Sequence, residues 1–280
     1  MTVVDIWCNV FTEAGIDSLF RTPAEVAEVV GWWGMGSRLN GRPVDEFVKH
    51  MDDNEVDAVL VPSARMASYS TRQLIWNVPD EDVQELVTAA PGRVYGLVGI
   101  DPFEGMAGVR RLEHWVGQGF VGAHLHPYGF GLPVNDRKFY PFYAKCSELG
   151  VPVVMQVGHS AERMPSAMGR PILIDDIALD FPELSIVGAH TGWPWVEELV
   201  ALAWKHPNVY IGTSAHHPRY WDPALISFAA TRGRGKVLFG TDWPVVDYPD
   251  ARTAIDTMTM KDEARRLLLG DAAKKLFRLG

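Results

Sequence analysis

LSIVGAHTGWPWVEELVALAWKHPNVYIGT (Leu184–Thr213) is the stretch from which the fold is read. Leu184–Ala189 and Asn208–Thr213 are short apolar, β-branched runs bounded by turn-forming residues, the pattern of buried strands. Between them, Pro194–Lys205 reads as an amphipathic helix of three turns. A strand, a helix and a second strand in this succession form a parallel crossover unit.

The same alternation extends in both directions. Further strands are expected at Val3–Cys8, Val56–Val61, Arg93–Ile100, Phe120–His126, Val151–Val157 and Lys236–Thr241. Helical patterns fall at Val44–Asn54, Asp80–Ala90, Gly105–Gly117 and Lys138–Leu149. The tail Lys261–Phe277 is helical too, with Leu267, Leu268 and Leu276 on its apolar stripe. Eight strands interleaved with helices, without a break in composition, predict an α/β protein with one domain over residues 1–280: a (β/α)8 TIM barrel. A doubly wound open sheet is the alternative, but no Gly-x-Gly-x-x-Gly follows the first strand. GWWGMGSRLNGR (Gly31–Arg42) reads as a loop or lid inserted after that strand, or as a surface that packs on a neighbouring subunit. No internal repeat is found.

Composition narrows the function classes. The 280 residues are 47% hydrophobic and 22% charged, ordinary for a globular chain. Surface scaling predicts a folded area of roughly 12,000 Å², enough burial for a core without staples. The net charge of −9 and the lack of a basic run argue against nucleic acid or an anionic membrane as partner. Cys8 and Cys146 neither form a disulfide framework nor match a zinc-ribbon spacing. With no signal peptide or transmembrane run in evidence, a cytoplasmic protein acting on a small molecule is expected, as a homo-oligomer.

In such barrels chemistry sits at the carboxyl ends of the strands. Those ends offer Asp5, Trp7 and Asn9; His124 and His126; Gln156 and His159; His190; Ser214, His216 and His217; and Asp242. One such histidine would more often be structural than catalytic, but polar groups clustered at six strand ends reverse that balance. Strand alternation would put Asp5, Trp7 and Asn9 on one face and Cys8 on the other, toward the helices. His50, His114 and His206 read as surface residues of helices.

These residues carry a resemblance. GAHLHPYGFGLPVNDRKFYPFYAKCSELGVPVV (Gly122–Val154) is similar to the fourth strand and following helix of the amidohydrolase-related, aminocarboxymuconate semialdehyde decarboxylase-like family. RPILIDDIALDFPELSIVGAHTGWPWVEE (Arg170–Glu198) resembles its sixth strand, and NVYIGTSAHHPRYW with KVLFGTDWP its seventh and eighth. The resemblance runs from Val4 to Phe277. It implies a TIM-barrel enzyme that hydrolyses or decarboxylates small, often carboxylated, ring-derived acids. Most members carry His-x-His on the first strand, His on the fifth and sixth, and Asp on the eighth, several of them binding a divalent metal.

Here VDIWCN puts Trp7 and Asn9 at the two first-strand positions, and VVMQVG puts Gln156 at the fifth. Only His190 and Asp242 match. An indole has no lone pair to give a cation, and neutral amides are weak ligands for zinc. The expectation is therefore a metal-independent enzyme that needs no cofactor. Asp242 would be the base and His190 its partner, in hydrolysis (lactone or amide type) or related acid–base chemistry, as the metal-free pyrone-dicarboxylate lactonases of the family do. His124, His126, Gln156, His159, Trp7, Asn9 and His216 would line the substrate site. Two alternatives stand beside it. His124, His126, His190 and Asp242 could form a shifted site for zinc or manganese in a hydrolase or decarboxylase, or the barrel could have become a non-catalytic binding protein.

Overall fold

Each of the eight expected strands is present in the computed structural model, which describes Met1–Gly280. In chain order they are β1 (Val4–Asp5), β2 (Ala58–Pro62), β5 (Val94–Gly99), β6 (Gly122–Leu125), β7 (Val153–Gln156), β8 (Ile186–Ala189), β9 (Val209–Gly212) and β10 (Val237–Leu238). They pair in that order, every pair parallel. Closure from β10 to β1 is made by single contacts: Ile6 N–H donates to Phe239 O at 3.0 Å, Asp242 N–H to Trp7 O at 2.8 Å and Asn9 N–H to Trp243 O at 3.1 Å. This is the TIM barrel. The folded surface is 11,517 Å², close to the roughly 12,000 Å² that chain mass predicts.

The strands read as continuous apolar runs because both faces are covered. Outside, helices bury one stripe each. In Val44–Asp53 that stripe is Phe47 and Met51, with Asp45 and Glu46 in the first turn where the helix dipole favours them. In Met106–Gly117 it is Val109, Leu112 and Trp115. Gly150 ends Tyr140–Leu149 at φ = 65°, the left-handed position that favours glycine. Inside the barrel, Val4, Ile6, Leu60, Leu97, Val154, Val187 and Leu238 form a separate cluster, joined from below by Ala273, Phe277 and Leu279 of the tail. The tail is helical over Asp262–Leu276, as its stripe predicts, with a π turn at Leu267–Asp271.

Three expectations change. β1 ends at Asp5, not Cys8, because the Asp5 carboxylate accepts the N–H groups of Trp7 and Thr241, each at 3.0 Å, and kinks the chain. Strict alternation therefore fails: Asp5 turns outward to the Tyr248 hydroxyl at 3.1 Å, while Ile6 and Trp7 both point into the barrel. Cys8 does pack into the outer core. A hairpin of β3 (Arg65–Ala67) and β4 (Leu74–Asn77) was not expected, its strands being too short for a period-two signal. It seats Trp76, whose indole N–H donates to Leu19 O at 2.7 Å. His206 is buried, bonded to Asp175 at 2.5 Å, rather than a surface residue.

Candidate active site

The carboxyl ends of the strands open into a cavity of about 470 Å³. Its floor and walls include Asn9, Gln156, His159, His190, His216 and Asp242, six of the nine residues expected at the site. Its roof is the long connection after β1. Val26, Val29 and Val30 come from helix Ala24–Trp32, and Trp33 and Met35 from the segment that follows. Gly31–Arg42 is thus the end of a helix and a lid-like turn; Trp33 lines the cavity although 49% exposed.

Asp242 sits where β10 hands over to the next loop, at φ = 60°, a conformation disfavoured for any residue but glycine. His190, Thr191 and Ala215, at the ends of β8 and β9, share that feature with φ of 59°, 56° and 66°. Backbone strain held by surrounding structure is a recurrent mark of functional sites. The Asn9 amide donates to Asp242 Oδ1 at 2.9 Å and to the carbonyls of Asp242 and Trp243 at 3.2 and 3.0 Å, holding the carboxyl in place. Burial pushes Asp242 up to about 8, against the Asn9 amide, which favours the anion; the charges of Asp5 and Glu162 push further up. His190 goes the other way. Burial, with His216 nearby, lowers it to about 3, so the ring is neutral at physiological pH. Its Nδ1 lies 2.9 Å from Ser214 Oγ, which fixes the ring and leaves Nε2 free. His216 is likewise lowered to about 4, by burial and by His159.

On the β7 side, Gly158 takes φ = 103° where any Cβ would stand 2.4 Å from Trp193 O. That close approach lets His159 N–H reach Trp193 O at 2.8 Å and sets its ring edge-on to the Trp193 indole at 4.8 Å. Glu162, which sequence reasoning passed over as a site residue, also lines the cavity. Ser160 Oγ donates to it at 2.8 Å, and His126 Nε2 lies 3.6 Å away. Burial raises this carboxyl, but the His126 and Ser160 contacts outweigh it and bring it to about 2. Nothing local in HSAERM distinguishes it from a solvated acid; only the turn that folds the loop over β6 brings it in.

Trp7, His124 and His126 lie beneath the floor rather than in it, at 2%, 1% and 0% exposure. The Trp7 ring is wedged between two imidazoles, 4.5 Å from His124 and 4.8 Å from His190, edge-on to both. Neither ring nitrogen of His124 has a hydrogen-bond partner, and burial holds its pKa well below the usual imidazole range. No group of three or more His, Cys, Asp or Glu side chains is arranged to hold a metal ion. The shifted set His124, His126, His190 and Asp242 is not assembled, because Trp7 fills the space between its members and His126 turns toward Trp76, Tyr128 and Glu162. The donor set at the barrel mouth does not fit a divalent ion.

Comparison with known proteins agrees with the architecture. The chain is 25% identical over 210 residues to a 2-keto-4-carboxy-3-hexenedioate hydratase of Sphingobium sp., an alignment that covers 60% of each chain. Among solved structures, an uncharacterised TIM-barrel protein from Bordetella bronchiseptica superposes with a TM-score of 0.82 over 100% of this chain and 99% of the other, at 22% identity. A dihydroxybenzoic acid decarboxylase from Polaromonas sp. JS666, solved with manganese and 2-nitroresorcinol bound, gives a TM-score of 0.71 over 99% and 97% at 20% identity. No helix here is long and apolar enough to cross a membrane. The amidohydrolase family model matches residues 24–279, and the chain belongs to that family.

Proposed function

We propose that this chain is a metal-independent amidohydrolase-family enzyme that hydrolyses a small, ring-bearing substrate, with Asp242 as general base and His190 as its partner. One observation carries the reading. A carboxyl poised near neutral pH and a neutral imidazole share the floor of one apolar cavity, while the Trp7 ring stands between His124 and His190.

The chemistry follows from those environments. A general base is most effective when its pKa lies near the working pH, because it is then both available and strong. Asp242, at about 8, meets that condition. Its ionised form takes a proton from water as the water attacks a carbonyl, and the acid so formed returns that proton to the leaving oxygen or nitrogen. His190 cannot serve as a cationic acid with a pKa of about 3. As a neutral donor it hydrogen-bonds the oxygen on which negative charge develops, a role open to an imidazole whose orientation is fixed. Addition of water to an activated double bond would use the same two groups. Both cysteines are free and buried, which suits the reducing cytoplasm in which we place the enzyme.

The test is a turnover assay on aryl-substituted lactones, esters and amides. Asp242→Asn keeps the shape and the Asn9 contact, and is expected to lose about 10²–10⁴-fold in kcat/KM, the usual worth of a general base. For the wild type, kcat/KM should rise with pH through about 8 and then level off, since the ionised carboxyl is the active form. An Asn variant that keeps most of its activity, or a rate that falls through pH 8, would remove Asp242 from the role of base.

A further inference from the structure

The inner cavity has apolar walls and no arginine or lysine. Its acids are Asp242 and Glu162, the latter held ionised by Ser160 and His126. An anionic group pressed into this space would face Glu162 with no cation to offset it, and an unpaired buried charge is costly. Beyond one shared wall the balance reverses. Ala215, His216 and Val245 border both the inner cavity and a second, outer cavity of about 600 Å³. The outer cavity is lined by Arg38, Arg42 and Arg219, together with Asp247 and Asp250.

None of these guanidinium groups has a carboxylate within 4.0 Å. Asp247 is engaged with His50 at 3.1 Å, and Arg219 lies over the Tyr220 ring at 5.7 Å. Arg38 and Arg42 come from the connection after β1, and Arg219 from the turn Pro218–Tyr220 after β9. Two distant parts of the chain therefore converge to place unpaired guanidinium forks beside the mouth of the reacting cavity. Such forks match the oxygens of a carboxylate or phosphate.

We infer that the substrate is amphiphilic: a ring-bearing apolar body fills the inner cavity, and an anionic group attached to it seats on Arg38, Arg42 and Arg219 in the outer one. The inference rests on the proposed function only in taking the inner cavity as the reacting site.

A ligand series reads this directly. Benzoate, phenylacetate and the longer phenylalkanoates to phenylhexanoate are titrated against the full chain, each paired with the alcohol of equal length. Binding is followed by tryptophan fluorescence, to which Trp33 and Trp193 of the cavity contribute, and confirmed by calorimetry. Short carboxylates are expected to bind no better than their alcohols. Longer ones should gain at least tenfold, about 1.4 kcal/mol, in a salt-dependent way and with competition from inorganic phosphate. The combined variant Arg38→Gln, Arg42→Gln, Arg219→Gln should lose that gain while alcohol affinity stays unchanged.

Tightest binding by benzoate, equal binding of acids and alcohols at every length, a gain that survives in the variant, or no binding by any member would each overturn the proposal. Because the titration reads binding without turnover, it can fail while Asp242 remains the base, or succeed when Asp242 does not.

Discussion

Asp242 is a carboxyl whose protonation stabilises the folded chain, and that makes its titration visible in stability as well as in rate. A group raised in the folded state binds its proton more tightly there than in the unfolded chain. The stability it contributes is full below the unfolded value of about 4 and is lost as pH rises through the folded one. For Asp242 the loss runs up to about 8. Asp5, raised to about 6 by burial, has the same sign but is spent by neutrality. His190 and His216, lowered to about 3 and about 4, act oppositely and only below about 6.5. Lys236, lowered to about 8 by burial, adds stability only above that pH. Between pH 6.5 and 8, Asp242 is therefore the group that decides the slope. The melting temperature of the wild type should fall over that interval and that of Asp242→Asn should stay nearly flat. Equal slopes for the two proteins would show that burial does not hold this carboxyl up.

At the scale of single elements, the ends of β1, β7 and β10 determine what the mouth of the barrel can bind. Asn9 turns its amide nitrogen to Asp242, and Trp7 occupies the volume between His124 and His190. Two outcomes follow. Protein purified without added ions should carry well under one divalent metal per chain by elemental analysis, and a chelator should leave its melting temperature unchanged. In the double variant Trp7→His, Asn9→His, one imidazole beneath the floor and one in it join Asp242, and manganese or zinc should bind with a stoichiometry near one by calorimetry. Stoichiometric metal on the wild type would overturn the metal-free reading, and failure of the double variant to bind would mean that more than these two positions closed the site.

The whole molecule places its reacting end and its stabilising end apart. The positive-φ residues His190, Ala215 and Asp242, the buried imidazoles of His124 and His126, and the cavity lie at the carboxyl ends of the strands. The opposite end is closed by the tail, whose Ala273, Phe277 and Leu279 complete the inner core under Val4, Leu60 and Leu238. Phe277 is 3% exposed. Phe277→Ala is expected to cost about 3–5 kcal/mol through lost burial and the cavity left behind. It should do so in a single urea transition and without change in the binding of ligands at the other end. A change in ligand affinity as large as the change in stability would show that the two ends are coupled.

The sequence by itself determined the barrel, because eight buried parallel strands leave continuous apolar runs and each covering helix leaves a 3.6-residue stripe, signals that repeat along the whole chain. It also placed Asp242 and His190 at strand ends, with Trp7 and Asn9 after the first strand and Gln156 at the end of the fifth. Tertiary structure alone decided which of those groups share a cavity. His159 and Glu162 are brought to Asp242 by the loop after β7 and His216 by the loop after β9, while His124 and His126 sink beneath the floor. The kink at Asp5, whose carboxylate accepts two N–H groups, turned Asp5 outward and Ile6 inward against the expected alternation, while Trp7 stayed on the inner side. Periodicity reports which face of an element is apolar. Burial, charge and the reach of one loop toward another depend on contacts between residues far apart in the chain, and no local pattern carries them.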